Sequence, residues 1–224
     1  MKLFRILIPL FLLTGPALMA QSKGFYLGAE GGAGIAALRG DMYDQRSPLL
    51  GYAGGVFVQY NFERVFSIRT GWSYDLKGTG FETQARADST RWENVRAKSK
   101  FNYLTVPLLL GFRFGEDINY FVNVGPYAGF LLKQTTYVPP VENRPVVITD
   151  DTRSFRGAEF GLSVGVGVSY PVMERFVLSA EIRNNLGLTN INDHYISESK
   201  SVRTNAVNLM LGVAYKLGGQ NADK

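Results

Sequence analysis

The sequence predicts an all-β chain that folds as an eight-stranded antiparallel up-and-down transmembrane β-barrel. Three observations lead to this fold class: large apolar side chains alternate with small or polar ones, long and short connections alternate, and aromatic side chains gather at the short connections. A strand turns successive side chains to opposite faces, and a membrane barrel needs its apolar face toward the lipid. Aromatic rings favour the interface between lipid and water, where each ring finds an apolar and a polar neighbour.

The first 20 residues have the pattern of a signal peptide. Lys2 and Arg5 are positive, residues 6–13 are apolar, and 17–20 resembles a cleavage site, although Leu18 is larger than the residue usual there. The apolar stretch is too short to span a bilayer as a helix, and the absence of cysteine excludes a lipid-anchored lipoprotein and disulfide bonds. We expect residues 21–217 to form one barrel domain and residues 218–224 a short periplasmic tail.

The first half of the mature chain contains four predicted strands. Residues 24–38 form a Gly- and Ala-rich first strand, which ends at a charged loop. The second strand, 50–62, alternates strongly and turns within Glu63-Arg64 into the third, 65–77. The polar stretch 78–100 predicts a long loop before the fourth strand, 101–114. Pro107 lies inside this fourth strand and removes one ladder hydrogen bond, which a barrel tolerates best at a bulge or a rim.

The second half repeats the pattern. The turn at 115–117 leads to the fifth strand, 118–133, and a loop at 134–154 contains Pro139-Pro140. The later predicted elements are a sixth strand at 155–170, a short connection at 171–175, a seventh strand at 176–189, a polar loop at 190–203 and an eighth strand that ends near Leu217. Because transmembrane barrels have short periplasmic turns and longer outer loops, this order predicts that both termini are periplasmic.

One face of each strand is bulky and apolar, and the other is small or polar. In the sixth strand, Phe160, Leu162 and Val164 share one face, while Glu159, Gly161 and Ser163 share the other. We expect the bulky face to contact lipid and the small face to fill a narrow interior. Four residues break the alternation, namely Leu109, Phe121, Leu131 and Val177. The aromatic residues predicted at the inner membrane interface are Phe62, Phe66, Phe114, Tyr120, Tyr170, Phe176 and Tyr215.

Several segments resemble the PorT-like outer-membrane β-barrel family of Gram-negative bacteria. The most specific is Tyr103-Leu104-Thr105-Val106-Pro107-Leu108-Leu109-Leu110, followed by 125–132, by 181–183 with 186–191, and by 211–217. The resemblance covers most of the mature chain and implies an eight-stranded outer-membrane barrel. The family takes its name from a member linked to a secretion system, while most of its members have no assigned activity.

Charged residues at inward positions are the main candidates for a site. We interpret Glu30, Arg69, Arg113, Glu159, Glu181 and Arg183 as a salt-bridge network in the lumen, because buried charges in a small barrel must pair. An ion path or a binding site is the alternative interpretation. Lys133, Asp75 and Lys77 have the same inward parity. Asp75 and Lys77 lie toward the outer mouth, so we expect them to be less deeply buried than the other inward charges.

Other chemistry has little support in the sequence. The single histidine, His194, lies in a polar loop beside Asp193 and several serines, without a nucleophile motif around them. Asp41, Asp44 and Asp150-Asp151 lack the spacing of a calcium loop, and Gly31–Gly34 lacks the Lys-Ser/Thr of a phosphate loop. The sequence therefore predicts no catalytic residue, cofactor or metal. The net charge falls from +5 to +3 without the leader, and its scattered basic residues do not favour nucleic acid.

The expected function is that of a monomeric, non-enzymatic outer-membrane protein. It would present outer loops to partners or act as an accessory of an envelope or secretion assembly, in contact with outer-membrane lipid and lipopolysaccharide. The second outer loop has a net basic tip that could meet lipopolysaccharide phosphates, with Arg86, Arg91, Trp92, Arg96, Lys98 and Lys100. The alternatives are a narrow pore, an enzyme active at the outer rim, and a soluble lipocalin-like carrier.

Overall fold

The strands join into one closed sheet in a computed structural model that describes residues 23–40, 47–62, 65–86, 91–115, 118–141, 145–193 and 201–217. They are β1 (Gly24–Gly40), β2 (Ser47–Asn61), β3 (Phe66–Arg86), β4 (Trp92–Phe114), β5 (Asn119–Val138), β6 (Val147–Asp150), β7 (Ala158–Pro171), β8 (Phe176–Gly187) and β9 (Val202–Leu217). The predicted signal peptide and the tail at 218–224 lie outside the described residues. Among those residues, no helix is long and apolar enough to cross a membrane.

Eight of the strands form a ring in the order β1, β2, β3, β4, β5, β7, β8, β9. Every neighbouring pair in the ring is antiparallel, and β9 returns to pair with β1 along its length. The short β6 pairs only with the end of β5 and lies outside the ring. The predicted eight-stranded antiparallel up-and-down barrel is confirmed.

Three strands extend beyond their predicted ends by five residues or more. β3 and β4 remain paired as far as Arg86 and Trp92, so most of the stretch 78–100 is a hairpin and not a loop. β5 continues to Val138 and pairs there with β6, inside the stretch 134–154 that was also predicted as a loop. Polar composition predicts a loop, but these polar strands rise past the apolar part of the wall, where the outward face needs no apolar side chains.

The outward face of the ring is apolar, and the inward face is small or polar. The outward apolar run covers 11 residues on β3 (66–76) and on β7 (160–170). Ten steps of about 3.3 Å, tilted by about 40°, give a band about 25 Å high, as in outer-membrane barrels. A soluble lipocalin-like carrier would need the opposite arrangement, so this distribution contradicts that alternative.

A bulge in β5 changes which side chains face the lumen. Asn102 pairs with Lys133 whereas Tyr103 pairs with Leu131, so Leu132 is an extra residue in β5. An extra residue inverts the parity of the strand beyond it. Gln134 consequently turns inward and is buried, while the Lys133 side chain turns outward and is 56% exposed. The prediction that Lys133 faces the lumen is wrong for this reason.

Pro107 is accommodated in the middle of the wall and not at a rim. The β3–β4 ladder is interrupted between the pairs Thr70–Leu108 and Ser73–Thr105. Pro107 lies in this gap, and it has no backbone N–H to donate to the ladder. The Thr70 hydroxyl donates to the Pro107 carbonyl oxygen at 2.8 Å. A side chain thus replaces part of the missing ladder and keeps the barrel closed there.

Candidate functional site

Eight charged side chains lie inside the barrel in the part of the chain that the structure describes. Four are acids and four are bases: Glu30, Asp75, Glu159 and Glu181, with Arg69, Lys77, Arg113 and Arg183. They come from β1, β3, β4, β7 and β8. Equal numbers of acids and bases allow every charge to be compensated, which a lumen too narrow for bulk water requires.

The central cluster alternates two carboxylates and two guanidinium groups. Arg183 donates to both oxygens of Glu30, at 2.6 and 2.9 Å, and to both oxygens of Glu181, at 2.6 and 3.2 Å. Arg69 also pairs with Glu30, and its Nη1 lies 3.7 Å from Glu181 Oε2. The Arg69 guanidinium stacks 3.5 Å from the Phe57 ring centroid. This cluster bridges β1, β3 and β8 across the lumen.

A second cluster lies nearer the long-loop end and centres on Glu159. Lys77 Nζ lies 2.5 Å from Glu159 Oε1, to which the Tyr127 hydroxyl donates at 3.1 Å. The Thr204 hydroxyl donates to the other oxygen at 2.9 Å. Lys77 and Asp75 are only 1% and 2% exposed, so the prediction that they are less buried is wrong. The longer strands β3 and β4 extend the wall above them and enclose them.

Asp75 is held by neutral donors instead of by a direct ion pair. The Ser73 and Thr105 hydroxyls donate to its carboxylate at 3.0 and 2.8 Å, and the Asn185 amide is 3.5 Å away. Three donors satisfy a buried carboxylate that would otherwise cost several kcal/mol, by the usual order of magnitude.

Glycines opposite the carboxylates make space for them. A Cβ on Gly129 would lie 2.8 Å from Cγ of Glu159, and a Cβ on Gly165 would meet the Glu181 carboxylate. Both contacts would be closer than side chains normally allow, so these two glycines are needed to leave room for the buried carboxylates. Toward the short-turn end, Arg113 lies 5.7 Å from the Phe121 ring centroid.

A small cavity lies beside this arginine. It has a volume of about 20 Å³, and Gln59, Ser169 and Ser179 line it together with Arg113. This volume is enough for one water molecule. The Ser169 hydroxyl makes no hydrogen bond to protein, so a bound water would satisfy it.

An apolar cluster closes the lumen at the long-loop end. It consists of Leu38, Phe101, Tyr103, Phe155, Ile191 and Val202, and Leu131 packs against it. Phe155, predicted to begin a strand, instead belongs to a connection that bridges to Asn192. Backbone hydrogen bonds join Arg156 to Ile191 and Ile191 to Val202. Two connections therefore fold over the mouth and are held in place by main-chain bonds.

The seven predicted interface aromatics lie at the short-turn end and point outward. Two pairs of these rings contact each other across neighbouring strands, with centroid distances of 5.7 Å for Phe114–Tyr120 and 5.1 Å for Phe176–Tyr215. Phe66 similarly meets Phe112 at 5.4 Å. The pairs form an aromatic rim at one level of the barrel, the arrangement that membrane interfaces favour.

The outer segments contain no metal site within the described residues, where no group of three or more potential ligands lies together. Asp150 Oδ1 accepts hydrogen bonds from the Thr152 hydroxyl at 2.6 Å and from its backbone N–H at 3.1 Å. These bonds lower the pKa of the Asp150 carboxyl. His194, Asp41 and Asp44 lie outside the described residues.

Sequence reasoning missed the neutral partners of the buried carboxylates. Tyr127 and Thr204 bind Glu159, and the Asn123 amide donates to Glu181 at 3.1 Å. All three have inward parity on strands that were predicted, so strand parity alone could have identified them. The predicted lumen network contained only charged residues and therefore omitted these neutral polar ones.

A filled polar lumen, an apolar band and an even number of antiparallel strands describe an outer-membrane barrel. Residues 19–193 match the family described as outer membrane protein beta-barrel domain. The chain belongs to this family. It is accordingly a β-barrel protein of the bacterial outer membrane.

Solved structures similar to this chain include membrane barrels of low sequence identity. Neisserial surface protein A, from Neisseria, has 16% identity and a TM-score of 0.49 over 88% of this chain and 100% of that chain. OprG from Pseudomonas aeruginosa has 11% identity and a TM-score of 0.49, over 89% and 99%. A major outer membrane protein from Thermus thermophilus has 13% identity and a TM-score of 0.48, over 86% and 99%. No curated protein matches the chain.

Proposed function

We propose that this protein is a non-enzymatic scaffold that presents a rigid sheet on the outer side of the membrane to an envelope protein partner. Both termini are then periplasmic, with the short turns and the aromatic rim on the same side. The resemblance to PorT-like barrels favours a role as an accessory of an envelope or secretion assembly.

The sheet beyond the apolar band carries this proposal. From Lys100 to Trp92, β4 rises about 20 Å above the band, at about 3.3 Å per residue and a tilt of about 40°. It remains paired with β3, and at its base with β5, to which β6 adds a fourth strand. Continuous backbone pairing restrains these outer segments, which suits the recognition of a partner more than it suits a flexible lid.

The free edge of this sheet is the part best suited to a partner. β6 pairs on one side only within the described residues, and Val147 and Ile148 are 52% and 65% exposed. An unpaired edge with apolar side chains can accept an additional strand from another chain.

The interior favours a scaffold over a pore. Ion pairs bridge the lumen at two levels, and the apolar cluster around Phe155 closes the outer mouth. An ion would have to displace these side chains and leave buried charges without partners.

In-cell photo-crosslinking tests the proposal. A photoreactive amino acid at Ile148 should give one discrete adduct with an envelope protein, and the adduct should disappear when Val147→Lys makes the edge polar. The same amino acid at Ile182, which is 55% exposed on the membrane face, is the control and should give no protein adduct. Identical adducts at both positions, or none at Ile148, would contradict the proposed presentation of the edge.

A further inference from the structure

Three lysines form a cluster on the outward face of the barrel, immediately above the apolar band. Lys98 and Lys100 follow each other on the outward side of β4, and Lys133 lies on the adjacent strand β5. Below them the outward face is apolar, with Val106 37% and Leu132 52% exposed. The three ammonium groups therefore lie at the level where lipid headgroups meet the barrel wall.

The bulge at Leu132 is what completes this lysine cluster. If residues 131–134 alternated regularly, without a bulge, Lys133 would face the lumen. With the bulge, Lys133 lies opposite Asn102, and Lys100 lies opposite the next outward residue, Thr135. Diagonal neighbours of this kind lie about 7–8 Å apart, which is within reach of long side chains.

Few negative charges compensate the cluster. Lys98 lies between Gly80 and Tyr137, and Lys100 lies between Gly78 and Thr135, so neither has a carboxylate opposite it. Within the described residues, the carboxylate paired with the cluster is Asp150, at 3.8 Å from Lys133 Nζ. Like charges this close repel one another, and an anion bound between them would relieve the repulsion.

We infer that Lys98, Lys100 and Lys133 bind the phosphorylated headgroup of an outer-leaflet membrane lipid whose acyl chains lie along the apolar wall below. The cluster spans about 13 Å along the strands, which is four residues at about 3.3 Å each. A headgroup that carries two phosphates, as in lipopolysaccharide, can place one phosphate near each end of a cluster of this length. The choice of leaflet rests on the proposed orientation, but the phosphate chemistry does not.

Asp150 tunes this site by competing with the lipid for Lys133. The Thr152 hydroxyl and N–H hold its carboxylate in place and lower its pKa, so it remains charged at neutral pH. Removing that charge would leave Lys133 free to bind phosphate. The site therefore predicts opposite effects for substitutions of its bases and of its acid.

The test measures lipid binding to the purified full-length protein in detergent by native mass spectrometry, with bisphosphorylated lipid A as the probe. Each interfacial lysine contributes about 1 kcal/mol to binding an anionic surface, which is about fivefold in affinity. We expect Lys100→Gln/Lys133→Gln to bind lipid A about 25-fold more weakly, and Asp150→Asn to bind it at least twofold more tightly. Lipid A without phosphates should bind the unchanged protein and both variants equally weakly.

A matched control also removes two positive charges at the same end of the barrel, but outside the lysine cluster. Arg153→Gln/Arg156→Gln changes two exposed arginines outside the lysine cluster and should leave affinity within twofold of the unchanged protein. Equal losses in the two double variants would overturn the inference, because they would show attraction to net charge alone. Because the assay needs neither a cell nor a protein partner, its result is independent of the crosslinking experiment.

Discussion

The buried pair Lys77–Glu159 offers a direct test of how the interior is stabilised. Substitution Glu159→Gln keeps the size of the side chain and one of its two acceptor oxygens, while the other becomes an NH2 group, to which the Tyr127 or Thr204 hydroxyl must turn as an acceptor. It removes the negative charge that lies 2.5 Å from Lys77 Nζ. Lys77 would then be a cation with 1% of its surface exposed and without its closest carboxylate.

Removal of one partner of a buried ion pair usually costs about 3–5 kcal/mol of folding free energy. We expect about 3 kcal/mol here, because the Asp75 carboxylate remains two residues from Lys77 on β3 and compensates part of the charge. Adding Lys77→Met should restore most of the stability, since the pair is then neutral and Asp75 keeps its donors Ser73, Thr105 and Asn185. The cycle of single and double variants then isolates the coupling between the two side chains.

The assay is equilibrium unfolding in urea with the protein in phospholipid vesicles, followed by the gel mobility of the folded band. Arg156→Gln is the control, because Arg156 and Asp193 are both 56% exposed at 3.8 Å and such a pair contributes at most about 1 kcal/mol. A loss below about 1 kcal/mol for Glu159→Gln, or an equal loss for Arg156→Gln, would refute the reasoning that this lumen depends on paired charges.

Two further predictions concern the wall of the barrel. Gly165→Ala should destabilise the protein by about 1–3 kcal/mol in the same urea assay, because the new Cβ meets the Glu181 carboxylate. Gly31→Ala is the counterpart; its Cβ would lie 3.9 Å from the nearest atom, so we expect no loss or a gain of about 0.5–1 kcal/mol. The two tryptophans report on depth: Trp72 is 62% exposed within the band and Trp92 is 59% exposed at the end of the hairpin. Brominated acyl chains should quench Trp72 fluorescence in the Trp92→Phe variant and leave Trp92 unquenched in Trp72→Phe, and equal quenching would contradict the assigned level of the band.

The sequence was sufficient for the ring of strands and for most of the inward charges. Both follow from a period of two residues, which persists through β3 and β7 because lipid and lumen impose opposite demands on alternate side chains. Leu109 and Phe121 are bulky apolar residues at positions where the pattern predicts small or polar ones. They nevertheless point inward, as their parity predicts, and are buried.

The sequence could not reveal what depends on contacts across the ring. Lys77 and Glu159 lie on β3 and β7, which are not neighbours, and their contact depends on the stagger of all the strands between them. The hairpin above the band was missed for a different reason. Both of its faces are polar, so the alternation that marks a strand inside the membrane disappears there.

The Leu132 bulge connects the two faces of this protein. At the bulge Leu132 and Lys133 both point outward, so Gln134 is the next inward residue, and its amide donates to Ser99 and Thr136 at 2.8 and 2.9 Å. Lys133 consequently lies on the outward face beside Lys100. In a strand without the bulge, Lys133 would point into the lumen near the apolar cluster that closes the mouth, where burial of an ammonium group is costly. The bulge therefore keeps this charge out of the lumen and places it where the wall meets the headgroups.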